Sequence, residues 1–358
     1  MSNARQNYWG RAMLCGLALG AAGCGGHLSL GEDQSAGSGG TLNNGAGGTG
    51  GRFNLPTAGS GNVANASSDD GITPFFELPT CNTEADANTW IAFDTDRDDF
   101  DRELYMMHPD GSGVARLTEH PGIDEDPAFS GDGRWISFTS DRAGSTQIYL
   151  FERATGDVTQ LTNRAEGADQ SAFSHDGTLV AFHSGSATYT IGVDGSNERR
   201  VLESLDGLSA YGRPQFMPDD QRLLVDRYNQ IDTVALDGDD LRSIVKNTTT
   251  RIQGPSPSPS GVDVAYAVAC FFDQPSIWAT PYSLSSELCK GLRLTPPDEI
   301  EAESPSWGPS DRIAYTRVDR HNNTGQIAIV AHERGAMPCA ATPTGADNRN
   351  PSWSPAVP

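Results

Sequence analysis

A seven-residue phrase recurs along this chain as PAFSGDG, SAFSHDG, PQFMPDD, PSPSPSG, PSWGPSD and PSWSPAV, beginning at Pro127, Ser171, Pro214, Pro255, Pro305 and Pro351. Successive copies lie 41 to 50 residues apart, the length of one four-stranded propeller blade. The 40 glycines and 22 prolines among 358 residues argue against long helices and for many short strands joined by turns.

The clearest unit resolves into four alternating strands, PAFS, RWISFTS, TQIYLF and DVTQLT. Turn residues separate them, with Gly131-Asp132-Gly133 closing the first hairpin and Asp141-Arg142-Ala143-Gly144 the second. Trp135, Phe138, Ile148, Tyr149, Val158 and Leu161 supply apolar surface that one blade cannot bury alone, so neighbouring blades must stack on it. The first strands, WIAFDTD, ELYMMH and VARLT, have no copy of the phrase before them, whereas Pro351-Ser352-Trp353-Ser354 has no strands after it. The fold class expected is therefore all-β: a six-bladed β-propeller of four-stranded antiparallel blades, closed by the C-terminal strand joining the first blade.

The repeat x-P-x-[FW]-S-x-D-G, followed by an IAF-like strand, a D-R-x-G turn, an IY-like strand and a closing L-T, resembles the TolB-type propeller repeat. Gly133, Asp141-Arg142, Ile148-Tyr149 and Leu161-Thr162 carry the resemblance best, and it covers Trp90 to the end. It implies a six-bladed envelope propeller that binds protein partners. It also implies a departure, because a leader and stalk stand where TolB has an N-terminal α/β domain, so membership of the Tol–Pal machine does not carry over. Similar repeats occur in the propellers of prolyl-peptidase-like enzymes and oligogalacturonide lyases, so the motif speaks to fold more sharply than to function.

The amino terminus reads as an export signal over residues 1–23, with Arg5 and Arg11 before the short apolar run Ala12 to Ala22. Leu19-Gly20-Ala21-Ala22-Gly23-Cys24 resembles a bacterial lipobox, with Cys24 the expected lipidation site. Residues 24–71 are rich in Gly, Ser and Asn and are expected to form a flexible tether, leaving 72–358 as the propeller. A Gly-rich coil of that length spans about 35–40 Å. The expected localisation is an outer-membrane lipoprotein of a diderm bacterium, facing periplasm or cell surface, held to the membrane only through Cys24. Cys81, Cys270, Cys289 and Cys339 are the disulfide candidates in an exported chain. Proximity suggests Cys270 with Cys289 and chain closure suggests Cys81 with Cys339, although the repeat register sets Cys270 and Cys289 at opposite ends of one blade.

A net charge of −22 opposes nucleic acid and anionic lipid surfaces and is compatible with a basic protein, a cation or a neutral glycan. No G-x-S-x-G, H-E-x-x-H or C-x-x-C motif is present, so peptidase chemistry is not expected. Acids recur just before the inner strands, and Asp124, Asp126, Asp169 and Glu303 are the candidate partner-binding residues at one channel mouth; ordinary loop acidity is the alternative. Asp94, Asp96 and Asp98 carry calcium-loop spacing, but Asp99 stands where glycine is needed and Tyr105 where glutamate is needed, and the same stretch aligns with a blade turn. No cofactor is expected beyond a candidate calcium. The function expected is a non-catalytic, monomeric binder of a protein or peptide; the alternative is a carbohydrate-active, oligosaccharide lyase-like enzyme with a metal in the central channel.

Overall fold

The computed structural model describes residues 77–356 apart from 83–85, 99–100, 204–211, 228, 247–249, 271–273, 283–285, 288–290, 297–300 and 320. All described residues fall in the compact unit Asp70–Pro358. The leader 1–23, Cys24, the tether 24–71 and Cys289 lie outside them.

The chain lays down its strands blade by blade. β1 (Ile91–Thr95), β2 (Glu103–Met107) and β3 (Ala115–Arg116) open blade 1. Blade 2 is β4 (Asp124–Phe129), β5 (Trp135–Ser140), β6 (Gln147–Glu152) and β7 (Val158–Gln160). Blade 3 is β8 (Asp169–Phe173), β9 (Leu179–Ser184), β10 (Ala187–Gly192) and β11 (Arg199–Glu203). β12 (Gly212–Phe216), β13 (Arg222–Arg227), β14 (Gln230–Ala235) and β15 (Arg242–Lys246) form blade 4. β16 (Ile252–Pro257), β17 (Asp263–Ala269) and β18 (Pro275–Pro281) begin blade 5; β19 (Ser286–Glu287) departs, and β20 (Leu292–Arg293) finishes it. Blade 6 is β21 (Ala302–Trp307), β22 (Arg312–Asp319), β23 (Thr324–Ala331) and β24 (Cys339–Ala340).

The last strand, β25 (Asn348–Trp353), pairs antiparallel with β1, matching Ile91 to Trp353 and Thr95 to Asn348. It becomes the inner strand of blade 1, so the ring is sealed by its own tail and six antiparallel sheets surround one axis. The structure adds one strand to the expected pattern: β19 runs parallel along the outer edge of β15, giving blade 4 a fifth strand. It comes from the longest interval between phrase copies, Pro255 to Pro305, and covers backbone groups that an edge strand would otherwise leave open.

Strand alternation sends successive side chains to opposite neighbours. In β1, Ile91 and Phe93 pack with Ala314, Ile327 and Ile329 of blade 6. Ala92, between them, packs with Phe129, Ile136 and Phe138 of blade 2. The same arrangement repeats around the ring, so each apolar cluster among the described residues lies between two blades rather than inside one.

The repeat's small polar residues have equally specific roles. The closing L-T threonine accepts an amide from the third strand: Thr118 from Leu104 at 3.0 Å, Thr162 from Ile148 at 2.8 Å, Thr295 from Ile277 at 3.1 Å and Thr342 from Ile327 at 2.9 Å. The D-R arginine stacks on aromatics, Arg97 lying 5.1 and 4.8 Å from the Phe93 and Tyr105 rings and Arg142 lying 5.3 and 4.9 Å from Phe138 and Tyr149.

Pro79–Cys81 runs beside β24. Ala340 donates to the Pro79 carbonyl at 2.8 Å, Cys81 donates to the Ala340 carbonyl at 3.2 Å, and Cys81 is disulfide-bonded to Cys339. Cys270 is also disulfide-bonded, to a partner outside the described residues.

Candidate functional site

Each inner strand breaks register at one equivalent place: Glu125/Ala128, Asp169/Ala172, Gly212/Gln215, Gln253/Ser256, Glu303/Ser306, and opposite Ala92/Asp94 in β25. The first residue released from the ladder is left-handed in every blade: Asp126 (φ 55°), Gln170 (φ 54°), Arg213 (φ 39°), Gly254 (φ 62°), Ser304 (φ 52°) and Asn350 (φ 51°). The residue after it is the phrase's leading position, proline in every blade except blade 3, where it is Ser171. Proline has no N–H to leave unpaired, which suits the second position of a bulge.

These bulges surround an axial cavity of about 80 Å³, to which all six inner strands contribute, among them Asp126, Ser171, Arg213, Ser256, Ser304 and Ser352. Serines also tie the strands together around it. Ser352 accepts from the Phe129 amide at 3.1 Å, Ser306 from Trp353 at 2.9 Å and Ser256 from Trp307 at 2.9 Å.

One cation spans the mouth. Arg213 Nη2, from blade 4, donates to Asn350 Oδ1 of blade 1 at 2.8 Å and to Asp126 Oδ1 of blade 2 at 3.1 Å. The Arg213 amide donates to Gln170 Oε1 at 3.0 Å. Asn350 is fixed in turn, donating to Asp94 Oδ1 at 2.9 Å and accepting from Ser304 Oγ at 3.0 Å.

The four acidic candidates occupy different environments. Asp126 lines the cavity and pairs with Arg213. Asp124 is fully buried behind the rim, 2.6 Å from Arg142 Nη2 and 2.6 Å from Ser140 Oγ, which makes it a structural anchor for the D-R turn. Asp169 pairs with His183 at 2.8 Å, and Glu303 pairs with Arg349 at 3.1 Å. The mouth is thus a mixed-charge lattice, and the residues that reading along the acids missed are Arg213, Arg349, Arg102 and Asp226, while Asp94, a calcium-loop candidate by its spacing, belongs to the lattice instead. Arg102 bridges Asp94 to Asp347.

Burial raises several carboxyls here. Glu125, desolvated and facing Asp126 and Asp94, is pushed up to about 8. Asp126, also desolvated but relieved by Arg213, is pushed up to about 6. Burial raises Asp226 and Glu303 as well. It works against the Arg213 charge, but Asp126, Asp226 and Glu303 more than offset it, and the guanidinium holds its proton more tightly than usual.

Asp94, Asp96 and Asp98 turn towards separate partners. Asp94 faces Arg102 and Asn350, Asp96 accepts the Asp347 amide at 3.1 Å, and Asp98 accepts the Tyr105 hydroxyl. Among the described residues no group of three or more His, Cys, Asp or Glu is placed to hold a metal ion. The described histidines have local contacts: His108 with the Thr89 carbonyl, His120 with the Gly122 amide, and His175, His183, His321 and His332 with Asp220, Asp169, Asp319 and Asp311.

Six sheets around a polar axial cavity with an ionic mouth define a β-propeller whose distinctive chemistry lies on its axis. Residues 85–204 match the family model described as TolB beta propeller domain, and over that stretch the chain is similar to TolB propellers. Over 57 residues, 16% of this chain and 13% of the relative, it is 46% identical to the Tol-Pal system protein TolB of Bordetella pertussis. Over 138 residues, 35% of this chain, it is 28% identical to an uncharacterized protein of Agrobacterium fabrum, of which it spans about half, 47%. The crystal structure of TolB from Acinetobacter baumannii matches with a TM-score of 0.61 at 17% identity, over 75% of this chain and 67% of that one, a likeness of fold alone.

Proposed function

We propose that the propeller is a non-catalytic binding module that receives a protein or peptide partner, basic at its contact, on the channel mouth. The observation that carries this reading is the set of acids that face the Arg213 guanidinium at the mouth, Asp126 paired with it and Asp226, Glu303 and Asp94 behind. Carboxylates gathered in a low-dielectric funnel favour a cationic visitor. The cavity, about 80 Å³, is well below the roughly 300–1,000 Å³ of ordinary small-molecule sites, so it suits one inserted side chain with the rest of the partner lying on the rim. Its lining offers one carboxylate and no imidazole, which gives the lyase alternative no support.

The proposed setting is the envelope of a diderm bacterium, with Cys24 as lipid anchor and 24–71 as tether at the outer membrane. Relatives named as Tol-Pal system protein TolB support an envelope role related to that system.

The test is binding of arginine- and lysine-bearing peptides to the full chain, compared with acidic peptides of equal length, at low and high salt. Asp126→Asn with Glu303→Gln is expected to weaken basic-peptide binding about tenfold or more and flatten its salt dependence. Asp124 is left untouched because it anchors Arg142. Equal binding of acidic and basic peptides, or none by either, would overturn the reading.

A further inference from the structure

We propose that the channel mouth is a guanidinium site occupied by the chain's own Arg213, and that a partner binds by replacing this side chain with an arginine of its own. The partner half of the inference rests on the function proposed above; the site itself does not.

Arg213 is held in an unfavourable way for an arginine. Its backbone is left-handed at φ 39°, a conformation that side chains bearing a Cβ rarely adopt. Strain of this kind persists where surrounding contacts impose it and is concentrated at functional positions. Here the left-handed backbone belongs to the bulge that all six inner strands share, and from that bulge the guanidinium reaches from blade 4 to Asp126 on blade 2 and Asn350 on blade 1.

The reach is incomplete. Both bonds use Nη2; among the described residues, Nε and Nη1 hold no hydrogen bond. A guanidinium engages a carboxylate best through two parallel N–H donors. An arginine entering along the axis is free of the constraint that β12 places on Arg213 and can present that fork to Asp126.

The acceptors also outnumber their resident. Asp94 is paired with Arg102 and Glu303 with Arg349, which leaves Asp126 to Arg213. Asp226, opposite Gly212 in the β12–β13 ladder and only 7% exposed, faces Arg251 as well as Arg213, yet among the described residues its Oδ1 has no hydrogen-bond partner. A buried, unpartnered carboxylate oxygen is costly, and it lies beside the residue that carries the guanidinium. Asp126, Asn350 and Asp226 therefore form an acceptor set that one strained arginine satisfies in part.

The experiment uses the full chain with Arg213→Gly, since glycine accepts the left-handed backbone and vacates the site. Methylguanidinium is the probe and methylammonium the control. Methylguanidinium is expected to raise the thermal midpoint of Arg213→Gly by several degrees, to leave the parent unchanged, and to lose its effect when Asp126→Asn is added. Should Arg213→Gly fail to fold, methylguanidinium added during refolding is expected to restore the folded yield. No response in either format, or an equal response to methylammonium, overturns the guanidinium site. Arginine-bearing peptides are further expected to bind Arg213→Gly roughly tenfold tighter than the parent, with a smaller gain for lysine analogues. Peptide binding that is unchanged by Arg213→Gly overturns the replacement step. If no peptide binds any variant while methylguanidinium still does, the site stands and the proposed function falls.

Discussion

Arg213 and Asn350 belong to inner strands on opposite sides of a six-membered ring, and they meet at 2.8 Å over the axis. Asn350 also sits on the strand that closes the ring. Occupancy of the mouth and integrity of the seam therefore share one side chain.

Two substitutions at Asn350 separate its backbone role from its hydrogen bonds. Asn350→Gly removes the contacts to Arg213, Ser304 and Asp94 but tolerates φ 51°, whereas Asn350→Ala removes the same contacts and adds strain. Alanine is expected to be the less stable by about 1 kcal/mol in urea denaturation. Equal midpoints would mean that the left-handed position imposes no cost.

The seam between blades 6 and 1 depends on Trp353, which is buried, bonds Thr89 Oγ1 through Nε1 at 2.9 Å, and approaches Gly308 so closely that a Cβ there would lie 2.5 Å from its ring. Trp353→Ala is expected to cost about 3–5 kcal/mol. Gly308→Ala should be destabilising alone and nearly neutral in the Trp353→Ala background, a coupling that a double-mutant cycle measures.

The Cys81–Cys339 bond closes a span of 258 residues. Restricting so long a loop in the unfolded chain contributes up to about 5 kcal/mol by chain entropy. Replacing both cysteines with serine is expected to lower stability by about 2–5 kcal/mol while leaving the far-ultraviolet circular dichroism of the folded state unchanged.

The elevated carboxyls set the direction of the pH response. With Glu125 pushed up to about 8 and Asp126 to about 6, the folded state holds protons that the unfolded chain releases near pH 4. Between about pH 4 and 8 the folded state binds more protons, so stability falls as pH rises. The charges facing Glu125 are Asp126 and Asp94, opposed by Arg102 and Arg213. Thermal midpoints are expected to be lower at pH 9 than at pH 5, and Glu125→Gln should remove much of a slope worth on the order of 2–4 kcal/mol.

The ring was legible because the repeated phrase marks the bulge of each inner strand: an irregular residue, then proline (serine in blade 3), and two residues further on an aromatic packed between blades (proline in blade 5). Its closure was legible because Pro351–Trp353 repeats that code at the far end of the chain. The ionic lattice was much less so. Asp124 lies three residues before its phrase and Asp169 and Glu303 two, whereas Asp126 and Arg213 lie one residue before theirs. Alternation along a strand sends those positions to different surroundings, so acids that look equivalent in sequence part company in space. Comparing only the residue immediately before each phrase would have isolated Asp126, Gln170, Arg213, Gly254, Ser304 and Asn350. Even then, which blade Arg213 reaches depends on a ring diameter that no local spacing contains.

The crosslink at Cys81 also decides how the head responds to mechanical load. Tension applied to the chain ahead of Thr80 arrives first at the covalent bond to Cys339 and is shunted into the rim of blade 6, bypassing the hydrogen-bonded pairing of β25 with β1. Force from that side must therefore break a sulfur–sulfur bond, or pull out part of a blade, before it can unzip the ring.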